Sequence, residues 1–295
     1  MVNLGISITI LSDNLAAYGL EAEHGFSLWI QVAGRNILFD TGCGSAFAHN
    51  ADQLGIALDQ VDDIVVSHGH YDHTGNLAGV LHNARRPVRL HLHTDALKAR
   101  YSIHADPREI GMPVDSVAAV RDLPPWRLNW IQGPTKIADG VWVTGFVPRV
   151  QCDEDTGGPF FNDSEGNVID LIDDDQSIWI ETNDGLVVCL GCCHAGVINT
   201  LHHILDVTGR TSIYAVLGGL HLVHADTARI DRTAEAFRRL GVVLLLPCHC
   251  TGDSAIQRLE EQLGTVLQSG FAGQRLALGP LPGVNRQARF GVHDR

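Results

Sequence analysis

In the stretch SHGHYDHTG, residues 67–75, three imidazoles and a carboxylate (His68, His70, Asp72 and His73) fall within six residues, directly after the apolar run DIVV. If DIVVS is a buried strand, His68 and His70 project to the same side while the chain stays extended, because side chains alternate with period two. Gly69 between them lets the backbone pack closely. Past Tyr71 the chain must turn, so Asp72 and His73 aim at a second point a few ångströms away, with Thr74 expected to cap a following helix. This geometry offers two histidines to one cation and an Asp–His pair to a neighbour. Two ions about 3.5–4 Å apart form the usual hydrolytic arrangement, in which bound water ionises near neutral pH.

One loop cannot close such a site, so later ligands are required. Three strand ends offer them: VVCLGCCHAG ends at His194, YAVLGGLHL at His221 and VVLLLPCHC at His249. Each follows an apolar run and stands where a strand meets a loop, as His68 does. The remaining histidines are expected to be structural or superficial. His202 and His203 fall on a helix, His91 and His93 within a strand, and His24, His49, His82, His104, His224 and His293 lack a partner pattern.

The elements that must position these residues are legible as short runs rich in Val, Ile and Leu, bounded by Gly, Asp, Asn or Pro. They include ISITIL, FSLWIQV, NILFD, DIVVS, VRLHLH, GVWVTGF, SIWIET, GLVVCLG, SIYAVLGG, GVVLLLPCH and RLALG. Helical patterns cover 45–55, 74–82, 196–205, 227–240 and 253–267. In the fourth, Ile230, Ala234, Phe237 and Leu240 share a face. Many strands with interspersed helices predict stacked sheets with helices outside, an α/β protein. The 295 residues are expected to form one domain spanning 1–295. Loop insertions are expected near 105–135, rich in Pro and Trp, and near 148–175, acidic and Gly-rich.

The formal net charge is −13, and no Lys or Arg occurs from Val150 to Gly209, where twelve acidic residues lie. Such a surface repels nucleic acid. No apolar stretch approaches the roughly 20 residues of a membrane helix, and the first residues do not read as a signal peptide. A cytoplasmic location is therefore expected. The seven cysteines (Cys43, Cys152, Cys189, Cys192, Cys193, Cys248 and Cys250) do not suggest a disulfide framework in that setting. Their CC and CHC spacings also suit a four-cysteine zinc site poorly.

His-x-His-x-Asp-His followed by Thr-Gly resembles the signature of the metallo-β-lactamase superfamily, and so does ILFDTG at 37–42. The resemblance implies an αββα sandwich, two mixed β-sheets with helices on the outer faces, and a supporting role for Asp40 behind the metal loop. The trio GCCHAG, GGLHL and PCHCTG, with DDQS at 174–177, is similar to the subfamily named for a dihydropterin ribofuranosylaminobenzene phosphate synthase. That likeness runs from about Gly25 to Leu278.

On this resemblance His194 joins His68 and His70 at a first metal, and His249 joins Asp72 and His73 at a second. Most of the superfamily carries a bridging Asp where this chain has GCCH, with Cys192 near the place. The bridge is therefore left to water or hydroxide, with Asp174, Asp175 and Cys192 as further contributors. His221 is either a ligand or the proton donor over the site, and Asp72 orients the attacking hydroxide. The implied cofactor is two divalent metal ions, zinc by default, with manganese and iron as alternatives. The expected activity is hydrolysis of a small ester, amide, lactone or phosphoester by a metal-activated hydroxide. A synthase-like transferase on the same metals and a non-catalytic metal-binding or redox module are the alternatives. The expected partner is a small-molecule substrate, with no nucleic acid and no membrane, and a homo-oligomer is compatible with the chain.

Overall fold

The computed structural model describes residues 5–151 and 153–279, so Cys152 and His293 lie outside the described residues. The front half carries strands β1 (Ile6–Ser12), β2 (Ser27–Val32), β3 (Arg35–Phe39), β4 (Asp63–Val65), β5 (Arg89–Leu92), β6 (Tyr101–Ile103), β7 (Pro107–Glu109) and β8 (Leu128–Trp130). The back half carries β9 (Thr135–Ala138), β10 (Val141–Val143), β11 (Phe160–Phe161), β12 (Ile178–Glu181), β13 (Leu186–Leu190), β14 (Ile213–Gly219), β15 (Leu244–Cys248) and β16 (Arg275–Leu278). Helices α1 (Ser45–Gln53), α2 (Tyr71–Thr74), α3 (Leu77–Asn83), α4 (Val114–Arg121), α5 (Val197–Thr208), α6 (Thr227–Arg239) and α7 (Asp253–Leu263) lie between them.

Alternation sorts each strand onto two faces. In β13, Val187 and Cys189 enter the core between the sheets, while Leu186, Val188 and Leu190 pack under α5, α6 and α7. In β1, Ile6, Ile8 and Ile10 face the shared core, and Leu11 faces the layer of α1, α3 and α4. Both faces of each sheet are thus covered, which is why the strands read as continuous apolar runs. Three apolar cores separate four layers, and the architecture is the expected αββα sandwich. Leu190 is fully buried, and truncating it to Ala would cost about 2–5 kcal/mol.

The first sheet runs β16-β1-β2-β3-β4-β5-β8 and the second β15-β14-β13-β12-β10-β9. The β3–β4–β5–β8 pairings are parallel, as are β13–β14–β15. The carboxyl ends of these parallel strands carry the candidate site, the usual place for ligands in open α/β sheets.

The segment 105–135 is not the loop insertion expected from its Pro and Trp content. It holds β7, α4 and β8, and β8 extends the first sheet beside β5. Pro113 fixes the entry to α4, with Asp115 in its first turn and Arg121 in its last. Among the described residues of 148–175, the strand present is the short β11, which pairs with β6. Thr74 does not cap a helix start. Its hydroxyl donates to the His70 carbonyl within α2, at 2.7 Å.

Candidate metal centre

Asp72 and His73 stand on α2, the other candidate side chains follow strand ends, and the backbone is unusual at several of those ends. Among the described residues with left-handed backbone that are not glycine are Asp40 (φ 60°), Cys193 (φ 62°), His221 (φ 47°) and His249 (φ 53°). They follow β3, β13, β14 and β15 within three residues of the strand's end. A non-glycine residue in this region costs on the order of 1 kcal/mol and persists where surrounding structure dictates it. Gly69, between His68 and His70, has no room for a side chain, since a Cβ would lie 2.2 Å from the Ala96 carbonyl oxygen.

Four imidazoles are held in one tautomer. The Nδ1–H of His73 donates to Asp40 Oδ2 (2.7 Å), that of His194 to the Thr156 carbonyl (2.8 Å) and that of His249 to Asn14 Oδ1 (3.1 Å). His68 Nδ1 lies 2.9 Å from Ser67 Oγ, which itself donates to Asp40 Oδ2 at 2.6 Å and so accepts from the ring. Acceptor oxygens on Nδ1–H leave Nε2 as the lone-pair nitrogen, the form a metal needs. The freed Nε2 atoms of His194 and His249, and that of His70, are buried without a hydrogen-bond partner.

These atoms converge in two groups that share a thiol. Donor atoms of His68, Cys192 and His194 lie within 4.8 Å of one another, and so do those of His73, Cys192 and His249. His70 joins the first group through Nδ1, 2.9 Å from His68 Nε2. Asp72 joins the second, with Oδ2 3.4 Å from His249 Nε2 and 3.7 Å from His73 Nε2. Of the three further contributors considered, only Cys192 enters the cluster. Asp174 accepts from the Gly69 N–H and pairs with buried Arg100. Asp175 accepts from the Ala195 N–H. Asp174 thus helps to position its loop, whereas Asp175 Oδ1 is buried without a hydrogen-bond partner.

The electrostatics suit a cation. Burial and neighbouring imidazoles hold His68 well below the usual histidine range. Burial does the same for His70, with Arg100 beside it, and for His194, with His221 beside it. These rings are neutral and ready to ligate. Burial opposes a charge on His249, but Asp72 outweighs it and pushes the ring up to about 9. Burial would also raise Asp72, yet His73 and His249 hold its carboxyl far below the usual range. A proton there occupies the place that a divalent ion would take. Imidazole, carboxylate and thiolate donors with orphaned buried nitrogens fit zinc or a similar ion.

His221 stands at the edge of the cluster, in reach of Cys192 and Cys250, its ring centroid 4.2 Å from that of His194. It also lines a cavity of about 490 Å³ with His104, Thr156, Gly157, His224 and Arg229. Gly157 lies against the His221 ring so closely that a Cβ would meet Cδ2 at 1.8 Å. The Phe160 ring stands 5.4 Å from those of both His70 and His194.

The acidic segment beside this cavity is not simply solvated. Asp153 pairs with Arg232 and Asp155 with Arg229, both on α6, while Glu154 accepts from the N–H groups of Ile198 and Asn199 in the first turn of α5. Arg149 donates to the His194 and Leu171 carbonyls and so braces the two loops.

His24 joins the site although its sequence context gave no sign of it. Its Nε2 lies 3.5 Å from Asp72 Oδ2 and its ring stacks on His249 at 5.5 Å. Cys250, Phe160 and Asp13, which accepts from the His249 N–H, were equally unmarked.

Comparison with known proteins places the chain in a family. Residues 20–150 match the family described as the metallo-beta-lactamase superfamily. A solved structure titled Tm1679, a metal-dependent hydrolase of the beta-lactamase superfamily, is 31% identical, covers 93% of this chain and 100% of its own, and superposes with a TM-score of 0.77. The 7,8-dihydropterin-6-methyl-4-(β-D-ribofuranosyl)-aminobenzene-5′-phosphate synthase of Methanocaldococcus jannaschii is 26% identical, over 93% of this chain and 98% of the relative. An uncharacterized protein of the same organism is 31% identical, over 86% and 94%.

Proposed function

This chain belongs to the metallo-β-lactamase superfamily, and from that premise we propose that it is a metal-dependent hydrolase of a small ester, amide, lactone or phosphoester. The observation that carries the reading is the convergence of tautomer-locked imidazoles on two points sharing Cys192. His68, His70 and His194 would hold one divalent ion, Asp72, His73 and His249 a second, and Cys192 would lie between them. Zinc is the expected metal, with manganese and iron as alternatives. When bound, such ions supply Lewis acidity that brings the pKa of water to about 7 and polarises the bond to be cleaved.

The chain's own groups do the rest. Asp72 accepts a hydrogen bond from the attacking water and orients it. His221, facing the cavity, gives its proton to the leaving group. Phe160 excludes bulk water from the His70–His194 side. Asp40, Ser67, Thr156 and Asn14 keep the ligand rings from turning.

Metal analysis of the purified chain, with a panel of esters, lactones, amides and phosphoesters, tests this. Bound transition metal, with turnover lost on chelation and restored on re-addition, supports it. Metal-supplemented protein that holds no ion overturns it. The synthase relative favours a second reading, a transferase using the same centre. Turnover of a dihydropterin precursor with a ribofuranosylaminobenzene phosphate, and none of the panel, would select it.

A further inference from the structure

Cys192 and Cys250 follow different strands, β13 and β15, yet their sulfurs and one nitrogen of His221 all lie within 4.8 Å of one another. Cys250 Sγ also reaches the Cys192 carbonyl oxygen at 3.6 Å. The other described cysteines are placed differently. Cys189 and Cys248 are buried in the core between the sheets, Cys193 packs against Thr200, and Cys43 donates to the His24 carbonyl. Cys250 is half-buried and Cys192 buried. Cys250 is the more exposed of the two residues, and Cys192 belongs to both donor groups.

We propose that Cys250 and Cys192 form an oxidation site for small peroxides, and that closing their disulfide withdraws Cys192 from both metal positions. The inference rests on the reading of Cys192 as a shared metal donor. In the first step the Cys250 sulfur attacks a peroxide oxygen. The S–O bond forms, the O–O bond breaks and water leaves with the thiol proton, giving a sulfenic acid. In the second, the Cys192 sulfur attacks Cys250. The S–S bond forms, the S–O bond breaks and the hydroxyl leaves as a second water, taking the Cys192 thiol proton or, where Cys192 is held as a thiolate by the metal, a proton from solvent. The two thiols lose two electrons and hydrogen peroxide gains them. The metal loses its central donor, and a thiol reductant reverses the change.

The test uses the full chain loaded with zinc and exposed to graded hydrogen peroxide. Thiols are counted, disulfides located by non-reducing peptide mapping with fragmentation that separates Cys192 from Cys193, and released zinc read with a chromophoric chelator. The expected result is a Cys192–Cys250 cross-link, loss of two thiols per chain, zinc release in step with the cross-link, and reversal by dithiothreitol. Cys250→Ser is expected to keep its zinc through the same exposure. No such cross-link, oxidation of Cys250 that stops at the sulfinic acid, or equal zinc release from Cys250→Ser overturns the proposal. Should the chain bind no zinc before peroxide is added, the reading of the donor groups fails separately, and the cross-link is still scored in the metal-free chain.

Discussion

The two ends of the β3–β4–β5 sheet are built from the same residue types and behave oppositely. At the amino end, the fully buried Asp63 accepts from Arg35, from Arg89 at 3.1 Å and from His91 Nε2 at 2.9 Å. The other nitrogen of His91 meets Asn129 at 3.1 Å. At the carboxyl end, Asp40, His68, His70, Asp72 and His73 are also buried, but the Nε2 atoms of His70, His194 and His249 have no hydrogen-bond partner. Both ends bury a carboxylate beside imidazole, and the matching of donors to acceptors differs. Since buried polar groups are nearly always satisfied, a surplus of unpaired lone pairs marks the place where something else binds. The amino end holds the sheet together, and the carboxyl end carries the candidate donor groups.

His194→Ala should break the carboxyl end most completely. It is expected to empty one metal position and abolish turnover while leaving the fold intact, as read by metal analysis, panel kinetics and circular dichroism. Unchanged metal content would mean that the first group is wrongly drawn.

His221→Gln is expected to retain metal but lower kcat by about 10²–10⁴ on substrates with poor leaving groups. Nitrophenyl substrates, whose leaving group needs no proton, should be affected far less. An equal loss on both would assign His221 to metal binding.

Asp63→Asn is the counterpart at the amino end. Removing one partner from a buried charge network costs about 3 kcal/mol, measured by denaturant unfolding, with metal content and kcat unchanged. Burial raises the Asp63 carboxyl, but His91 and Arg35 outweigh it and hold it below the usual value. A depressed folded pKa gives stability that is present above the unfolded value of about 3.9 and is lost as pH falls through the folded one. The gap between native and variant should therefore narrow below about pH 4. A gap independent of pH would remove the charge from the explanation.

Asp40→Asn should give the smallest effect of the four, a 10–100-fold loss of metal affinity, because His73 Nδ1 then faces a neutral amide. Competition with a calibrated chelator measures it.

Much of this contrast is local and therefore legible in the chain itself. The histidine loop is contiguous, and the ends of β13, β14 and β15 announce themselves as apolar runs stopping at His194, His221 and His249. The two faces of each strand follow from alternation. What escaped notice depends on tertiary contact. The sequence placed Cys192 near the missing bridge but could not show that both donor groups share it, since sharing is set by how two sheets meet. His24 reaches Asp72 only because the loop before β2 folds back over the site. α4 was hidden by flanking prolines, although Asp115 in its first turn and Arg121 in its last were the signal that could have revealed it.

The left-handed backbone at His221 and His249 has a further consequence for this chain's history under selection. Glycine at either position would relieve the local conformation by on the order of 1 kcal/mol, while deleting an imidazole that the proposed chemistry uses. On that proposal, backbone strain and turnover pull these two codons in opposite directions. Lineages that have abandoned the proposed activity should drift toward glycine there first.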